Sequence, residues 1–208
     1  MASYYRNTIV HHFVSKAIAE MALIEAATEP DNAVNAFWRE ADRLKDMFKF
    51  EFFYAPTEEF HADIRAEMEF YDKEWEAKLV DHEFVLSFLR GLKPVVAHAC
   101  LKPYVEAYRI VADCFARLDE GETMDQKATA SAALKYGRQA YMQRRISSKA
   151  SIGQILFKNG HKLLESYGVV EAGGKDLVAK RKSISKDFRI LSHRIEQLRA
   201  LAMPNDID

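Results

Sequence analysis

Residues Tyr5–Ala27 have the sequence YRNTIVHHFVSKAIAEMALIEAA, from which the expected architecture follows. A helix of this sequence carries apolar side chains on most of its sides, whereas a helix at the surface of a globular protein carries them on one face. The stretch therefore predicts a long central helix, which the turn-forming Pro30-Asp31-Asn32 ends.

Further segments carry apolar residues at the spacing of a single helix face. These seams are Ala33, Phe37, Ala41, Leu44 and Phe48; Phe60, Ile64, Met68, Tyr71 and Trp75; and Leu177, Ile184, Phe188, Leu191, Ile195, Leu198 and Ala202. The second seam predicts one long helix from Thr57 to about Leu79. We expect an all-α fold, a single helical bundle domain over residues 1–208 with about seven to nine helices. The segment near 169–174 (Val169–Gly174) is the one place where the sequence allows a short hairpin instead.

Composition excludes several classes of protein. The chain has 208 residues, of which 49% are hydrophobic and 29% charged, with only 8 glycines and 5 prolines, which argues against a turn-rich β protein. The longest uncharged run is Asn7–Ser15, whereas a membrane span needs about 20 apolar residues. No signal peptide is recognisable, so we expect a cytoplasmic location. Cys100 and Cys114 are interpreted as small buried residues rather than as a redox pair.

Charge is distributed unevenly along the chain. Between Glu20 and Glu83 there are 18 acidic and 7 basic side chains, a net charge of −11. Between Lys127 and Leu164 there are eight basic side chains and no acidic one. Such a basic run favours an anionic partner, namely a phosphate, a lipid headgroup, a nucleic acid or the acidic half of the same protein.

Within the basic run, Arg144 and Arg145 are the strongest candidates for anion binding or for a domain interface, with Arg138 and Lys149 behind them. An internal ion pair with the acidic half is an equally good interpretation of one of the two arginines. A winged-helix DNA reader, with its recognition helix at Ser151–Gly168, is disfavoured because few polar residues are available there to contact bases.

The motifs of the common catalytic sites are missing from the sequence. Glu58 and His61 form a single Glu-x-x-His pair, whereas a di-iron site requires two such pairs. The sequence contains no His-Glu-x-x-His, Gly-x-Ser-x-Gly, Walker A or Gly-x-Gly-x-x-Gly motif. We therefore expect no metal, no cofactor and no catalytic residue.

Six segments, in order along the chain, resemble the C-terminal region of glycerol-3-phosphate acyltransferases, with the actinobacterial members most similar. They are Tyr4–His11 (YYRNTIVH), Leu44–Tyr54 (LKDMFKFEFFY), Pro103–Tyr108 (PYVEAY), Gly137–Ile146 (GRQAYMQRRI), Ser151–Phe157 (SIGQILF) and Tyr167–Val170 (YGVV). The segment Leu44–Tyr54 is the most specific match. The resemblance extends over nearly the whole chain.

The resemblance does not extend to the chemistry of acyl transfer. The family uses a His-x-x-x-x-Asp pair, in which the histidine is the general base for the glycerol hydroxyl. None of the seven histidines here has aspartate five residues later, and the family's Phe-Pro-Glu-Gly block is also missing. No catalytic residue is carried over to this chain.

The resemblance implies a helical domain that is inactive alone and supports the catalytic domain of the same enzyme. The parent enzyme is expected at the cytoplasmic face of the cell membrane, with an anionic membrane surface as a further partner and no nucleic acid. Arg6 and Asn7 would lie at the junction of the two domains. The alternative is a free-standing helical module that binds nucleic acid or an acidic protein.

Overall fold

The computed structural model describes the backbone of residues 2–202 and the side chains of residues 13–202. It contains nine α-helices and no strand within those bounds. The helices are α1 (Ala2–Thr28), α2 (Ala33–Met47), α3 (Thr57–Glu69), α4 (Trp75–Lys78), α5 (His82–Gly91), α6 (Val96–Phe115), α7 (Gln126–Met142), α8 (Gln154–Ser166) and α9 (Leu177–Ala202). The all-α prediction is confirmed.

The chain divides into two compact units, and each is described by itself. Unit 1 contains residues 1–101 together with 194–208, and unit 2 contains residues 102–193. The boundaries fall within α6 and α9. Cys100 is half-buried in unit 1, and Cys114 is buried in unit 2, where burial raises the pKa of its thiol to about 11.

Helix α1 is the centre of unit 1, as its sequence predicts. It packs against α2, α3 and α5, and Ile18, Ala22 and Leu23 are completely buried. The rings of Phe37 and Trp75 meet edge to face with centroids 5.1 Å apart in the same core. Apolar residues on all sides of α1 are thus explained by neighbours on several sides.

The single helix predicted from Thr57 to Leu79 is wrong, because α3 ends at Glu69 and α4 begins at Trp75. The Asp72 carboxylate accepts hydrogen bonds from the Glu74 backbone N–H at 2.8 Å and from Lys78 Nζ at 2.7 Å. An aspartate that binds its own backbone two residues on stabilises a turn in competition with the helix.

A buried carboxylate lies at the beginning of α6 in unit 1. Glu20 on α1 is fully buried and accepts hydrogen bonds from the backbone N–H groups of Val96, at 3.4 Å, and Ala97, at 2.7 Å. Burial raises the pKa of Glu20 to about 7, although these hydrogen bonds act in the opposite direction. The protonated form is therefore the one that this site favours.

We expect Glu20 to make the stability of the chain depend on pH. Because the folded-state pKa is raised from 4.5 to about 7, its contribution is fully present below pH 4.5 and is lost as the pH rises through 7. When the pH rises from 5 to 8, the free energy of unfolding of Glu20→Gln should increase relative to that of the wild type by on the order of 3 kcal/mol. Urea unfolding of both proteins measures this difference. An equal difference between the two proteins at both pH values would contradict this assignment.

Unit 2 is built on an antiparallel pair of helices, α7 and α8. Asp125 caps α7 by accepting a hydrogen bond from the Ala128 N–H at 2.6 Å. Thr129 Oγ1 meets His161 Nδ1 at 2.9 Å. Gly160 lies so close to α6 that an added Cβ would be 3.1 Å from a Val111 methyl group and 3.2 Å from the Tyr108 ring, so a larger residue here would require these side chains to shift.

The short hairpin considered near 169–174 is wrong, because this segment is an irregular turn between α8 and α9. Gly168 ends α8 in the left-handed conformation, with φ of +67°. The carbonyls of Val169 and Val170 do not accept bonds from a second strand. They accept them from the Arg181 guanidinium, at 2.8 and 3.0 Å.

Arg181 is 1% exposed, although it carries a full charge. Its guanidinium also donates to the carbonyls of Asp119, at 3.2 Å, and Glu122, at 3.0 Å. One side chain thus joins the turn after α6 to the turn after α8.

No single described helix is both long and apolar enough to cross a membrane. Only α5 and α6 taken together pass this test, and they are bent by 95° at the break between them.

Candidate functional site

Three of the basic residues predicted from the sequence lie in the loop between α7 and α8. Helix α7 ends at Met142, and α8 begins at Gln154 after a 3-10 turn at Lys149–Ser151. Arg144, Arg145 and Lys149 lie in this connection, which we call the arginine loop (residues 143–149). All three side chains are exposed.

A single buried carboxylate holds the arginine loop in place. Glu106 on α6 is 5% exposed, and its two oxygens accept four hydrogen bonds. Oε1 accepts from the backbone N–H and hydroxyl of Ser147, at 2.9 and 3.1 Å. Oε2 accepts from the Ser148 N–H and the Ser151 hydroxyl, both at 2.8 Å. These charge-assisted bonds fix the backbone on the C-terminal side of the arginines.

Arg145 is held against the body of unit 2. Its carbonyl accepts a hydrogen bond from Arg109 Nη1 at 3.0 Å, and its own Nη1 donates to the Tyr136 hydroxyl at 2.8 Å. The Arg145 guanidinium lies 4.9 Å from the centre of the Tyr136 ring, and the Arg117 guanidinium lies 4.1 Å from it. Two cations therefore share one aromatic ring.

Asp113 is the carboxylate at the centre of this cluster. It is 4% exposed and accepts hydrogen bonds from Tyr136 Oη at 2.8 Å, Ser185 Oγ at 2.6 Å and Arg189 Nη2 at 2.8 Å. Burial alone would raise the pKa of Asp113, but hydrogen bonds from Ser185, Arg189 and Tyr136 outweigh it and lower the pKa. The group is ionised at neutral pH.

The cluster carries more positive than negative charge. Arg189 pairs with the Asp113 carboxylate. Arg117 and Arg145 lie over the ring of Tyr136, whose hydroxyl donates to Asp113. Within residues 13–202, neither Arg117 nor Arg145 has a carboxylate at ion-pair distance. Guanidinium groups in this state are suited to binding phosphate or carboxylate oxygens from outside.

Arg144 occupies a strained backbone conformation. Its φ is +57°, in the left-handed region that favours glycine. Its side chain makes no hydrogen bond or ion pair within the described part of the chain. Such strain persists only where the surroundings impose it, and here Glu106 fixes the residues that follow.

The remaining predicted residues do not join the cluster. Arg138 is exposed on α7 and Lys149 is exposed in the 3-10 turn, without a hydrogen bond or ion pair to another described side chain. Arg6 and Asn7 lie outside the residues whose side chains the structure describes. The basic residues predicted from sequence thus include one, Arg145, that belongs to an organised group.

Sequence reasoning missed the residues that organise the site. Glu106, Arg109 and Asp113 follow one another at spacings of three and four on α6, which places them on one helix face, and Arg117 follows at the same spacing in the turn after α6. A row of charged residues on a helix that is otherwise apolar was the signal that could have found them.

A histidine and an aspartate also meet in unit 1, although the sequence motif of the family is missing. His61 Nε2 lies 2.8 Å from Asp42 Oδ1, and the His61 ring packs 4.4 Å from the Trp38 ring. The two residues are 19 positions apart, which is why motif analysis did not find the pair. Within the part of the chain that the structure describes, no three His, Cys, Asp or Glu side chains form a metal-binding group.

Comparisons with known proteins agree with the motifs. Residues 1–173 match the family model described as the glycerol-3-phosphate acyltransferase C-terminal region. A protein named "Putative acyltransferase plsB1" in Mycobacterium bovis and in two strains of Mycobacterium tuberculosis is 30% identical over 210 residues. The match covers 97% of this chain and 33% of each mycobacterial protein. No solved structure matches.

Proposed function

Because the chain belongs to the family of glycerol-3-phosphate acyltransferase C-terminal regions, we propose that it supports acyl transfer without performing it. The chain spans about a third of the length of the curated relatives it matches. We assign the transfer of the acyl group to glycerol 3-phosphate to the catalytic domain of the same enzyme. The role of this region is to offer the arginine loop to an anionic group.

The observation that carries this proposal is the combination of a fixed loop with unneutralised cations. Glu106 makes four hydrogen bonds that hold the loop, whereas Arg145 and Arg117 have no described carboxylate partner. A rigid cationic group binds an anion with little loss of conformational entropy. The phosphate of glycerol 3-phosphate and acidic side chains of the catalytic domain share this chemistry.

A second partner, an anionic membrane surface, is favoured by exposed apolar residues at the same end of the α7–α8 pair. Met142, at the end of α7, is 83% exposed, and Ile155, at the beginning of α8, is 75% exposed. They flank the arginine loop within the acid-free run, and basic residues next to exposed apolar ones suit an anionic lipid surface. We propose that the parent enzyme is peripheral at the cytoplasmic face of the cell membrane.

The test of the arginine loop is the pair of variants Arg144→Gly and Arg145→Met. They are placed in a chimaera in which this chain replaces the matched third of the Mycobacterium tuberculosis relative. We expect the double variant to lower kcat/KM for glycerol 3-phosphate at least tenfold, since two charged contacts are lost. Arg144→Gly alone should leave the free energy of unfolding unchanged or raise it by about 1 kcal/mol, because glycine relieves the positive φ.

Lys162→Met is the matched control, because Lys162 is an exposed base of α8 in the same acid-free run. Titration calorimetry of the 208-residue chain with glycerol 3-phosphate separates the two anion sources. Binding that Arg145→Met weakens would identify the substrate, whereas loss of activity without such binding would identify the catalytic domain. Unchanged activity in the double variant would contradict the proposed role.

The non-catalytic assignment has its own test. The 208-residue chain alone should not acylate glycerol 3-phosphate from acyl-CoA. Turnover that His61→Asn abolishes would instead show that the His61–Asp42 pair acts as a general base.

A further inference from the structure

A second candidate site lies in unit 1, at the loop between α2 and α3. The loop borders a cleft of about 460 Å³, within the size range of sites that bind small organic molecules. The cleft is lined by Asp42, Lys45, Asp46, Lys49, Phe52, Phe53, Tyr54 and Thr57. Nothing in the proposed function uses these residues.

One side of the cleft is aromatic. Phe52 is 6% exposed, whereas its neighbour Phe53 is 93% exposed. The Tyr54 ring packs edge to face against Phe52, with centroids 6.3 Å apart, and against Phe60, at 5.6 Å. Phe53 is thus an apolar side chain left in water beside an aromatic wall, and burying it would be favourable.

The Tyr54 hydroxyl is buried and has no hydrogen-bond partner among the described residues. Burial, together with the charge of Glu51, raises the pKa of Tyr54, so the group stays protonated and keeps its donor hydrogen. A buried hydroxyl without a partner costs stability, and each such case in a folded protein calls for an explanation. A ligand oxygen would supply the missing acceptor.

The charges of the cleft leave one ammonium group without a carboxylate. Asp46 accepts a hydrogen bond from Lys49 at 2.9 Å, and Asp42 meets His61 at 2.8 Å. Lys45 Nζ lies 3.2 Å from Thr57 Oγ1 and 5.0 Å from the centre of the Phe60 ring. No described carboxylate is at ion-pair distance from Lys45, so this group can bind an anion.

We propose that the cleft binds an amphiphilic anion, which is an alkyl chain with a phosphate or carboxylate head. The head lies against Lys45 and Thr57 and accepts a hydrogen bond from the Tyr54 hydroxyl, while the chain packs on Phe52 and Phe53. The surrounding segment Glu20–Glu83 carries a net charge of −11, which repels small inorganic anions. The alkyl chain therefore supplies most of the binding. This inference does not depend on the proposed function.

The test is titration calorimetry of the 208-residue chain with hexyl, octyl and decyl phosphate as monomers in solution. Each added methylene should raise the affinity about fourfold until the cleft is filled. Decanol should bind at least tenfold more weakly than decyl phosphate. Lys45→Met should abolish that preference for the phosphate head.

Two aromatic variants separate binding from folding. Tyr54→Phe should raise the melting temperature, because it removes the unpaired hydroxyl, and should weaken decyl phosphate binding several-fold. Phe53→Ala should weaken binding about tenfold, whereas Phe70→Ala, which removes a ring that is 86% exposed after α3, is the matched control and should not.

Affinity that does not depend on chain length, or that Phe53→Ala and Phe70→Ala change equally, would overturn the inference. Unchanged decyl phosphate binding in Tyr54→Phe would overturn the assignment of its hydroxyl. If Phe53→Ala weakens activity of the chimaera but not decyl phosphate binding, the cleft is a protein interface instead. The arginine-loop variants should leave decyl phosphate binding unchanged, which distinguishes this site from the proposed function.

Discussion

Replacing Arg181 with methionine is expected to lower the free energy of unfolding by about 3–5 kcal/mol, the largest effect of any single substitution considered for this chain. The substitution keeps an apolar stem but leaves the carbonyls of Glu122 and Val169 without their donor. The Asp119 carbonyl still accepts from the Glu122 N–H, and the Val170 carbonyl still accepts from the Thr123 hydroxyl. Each unpaired buried acceptor costs about 1–3 kcal/mol, less whatever water can enter to replace the guanidinium. Urea unfolding followed by circular dichroism measures the change.

Lys182→Met is the matched control, because Lys182 is exposed and adjacent on α9. We expect it to change stability by less than about 0.5 kcal/mol. Arg181→Lys should also destabilise, since one ammonium group cannot reach carbonyls that a planar guanidinium reaches from three nitrogens. A loss below about 1 kcal/mol in Arg181→Met would show that the two turns do not need this side chain.

Replacing Glu106 with alanine is expected to lower the free energy of unfolding by about 3 kcal/mol and to lower activity of the chimaera as much as the arginine variants do. The backbone N–H groups of Ser147 and Ser148 and the hydroxyls of Ser147 and Ser151 all lose their acceptor. With the loop released, Arg144 no longer has to stay at positive φ. Unfolding and acyl-transfer assays together measure the two effects.

Glu106→Gln is the milder variant, because its single carbonyl oxygen still accepts hydrogen bonds while its amide N–H groups face the donors of the loop. It should be intermediate in stability and in activity. Full activity in Glu106→Ala, in protein shown to be folded, would mean that the loop does not need a fixed conformation.

The helical architecture could be predicted because its signals are local. Residues on most sides of α1 are apolar, and the seam Leu177–Ala202 identifies α9 at its observed bounds. The resemblance in the six motifs is confirmed by the family match, since motifs depend only on residue identity and order. Local spacing therefore predicts the existence of these two helices.

The two incorrect expectations about the fold, the single helix from Thr57 to Leu79 and the hairpin near 169–174, concern places where a side chain forms hydrogen bonds with backbone groups. Asp72 ends α3 through its hydrogen bond to Glu74, although the apolar seam continues to Trp75. Val169 and Val170 are β-branched residues typical of a strand. Their carbonyls instead accept hydrogen bonds from Arg181, which lies 12 and 11 residues later in the chain. Periodicity describes which face is apolar, and it does not describe which acceptors a polar side chain occupies.

The candidate site could be predicted only in part for a related reason. The acid-free run predicts Arg144 and Arg145 as candidates from charge alone. The bonds that organise them connect Glu106 to residues 41 to 45 positions later and Asp113 to Arg189, 76 positions later. Such separations leave no periodic trace in the sequence.

Each of the two units contains one cysteine, whose thiol can be alkylated. Cys114 is buried in unit 2 with a thiol whose pKa is raised to about 11, so a thiol reagent modifies it only after that unit opens. Cys100 lies in unit 1 and is half-buried. A half-buried thiol reacts without opening of its unit, so Cys100 is the internal reference. The alkylation rate of Cys114 relative to Cys100, followed by mass spectrometry in one native sample, therefore reports the opening of unit 2.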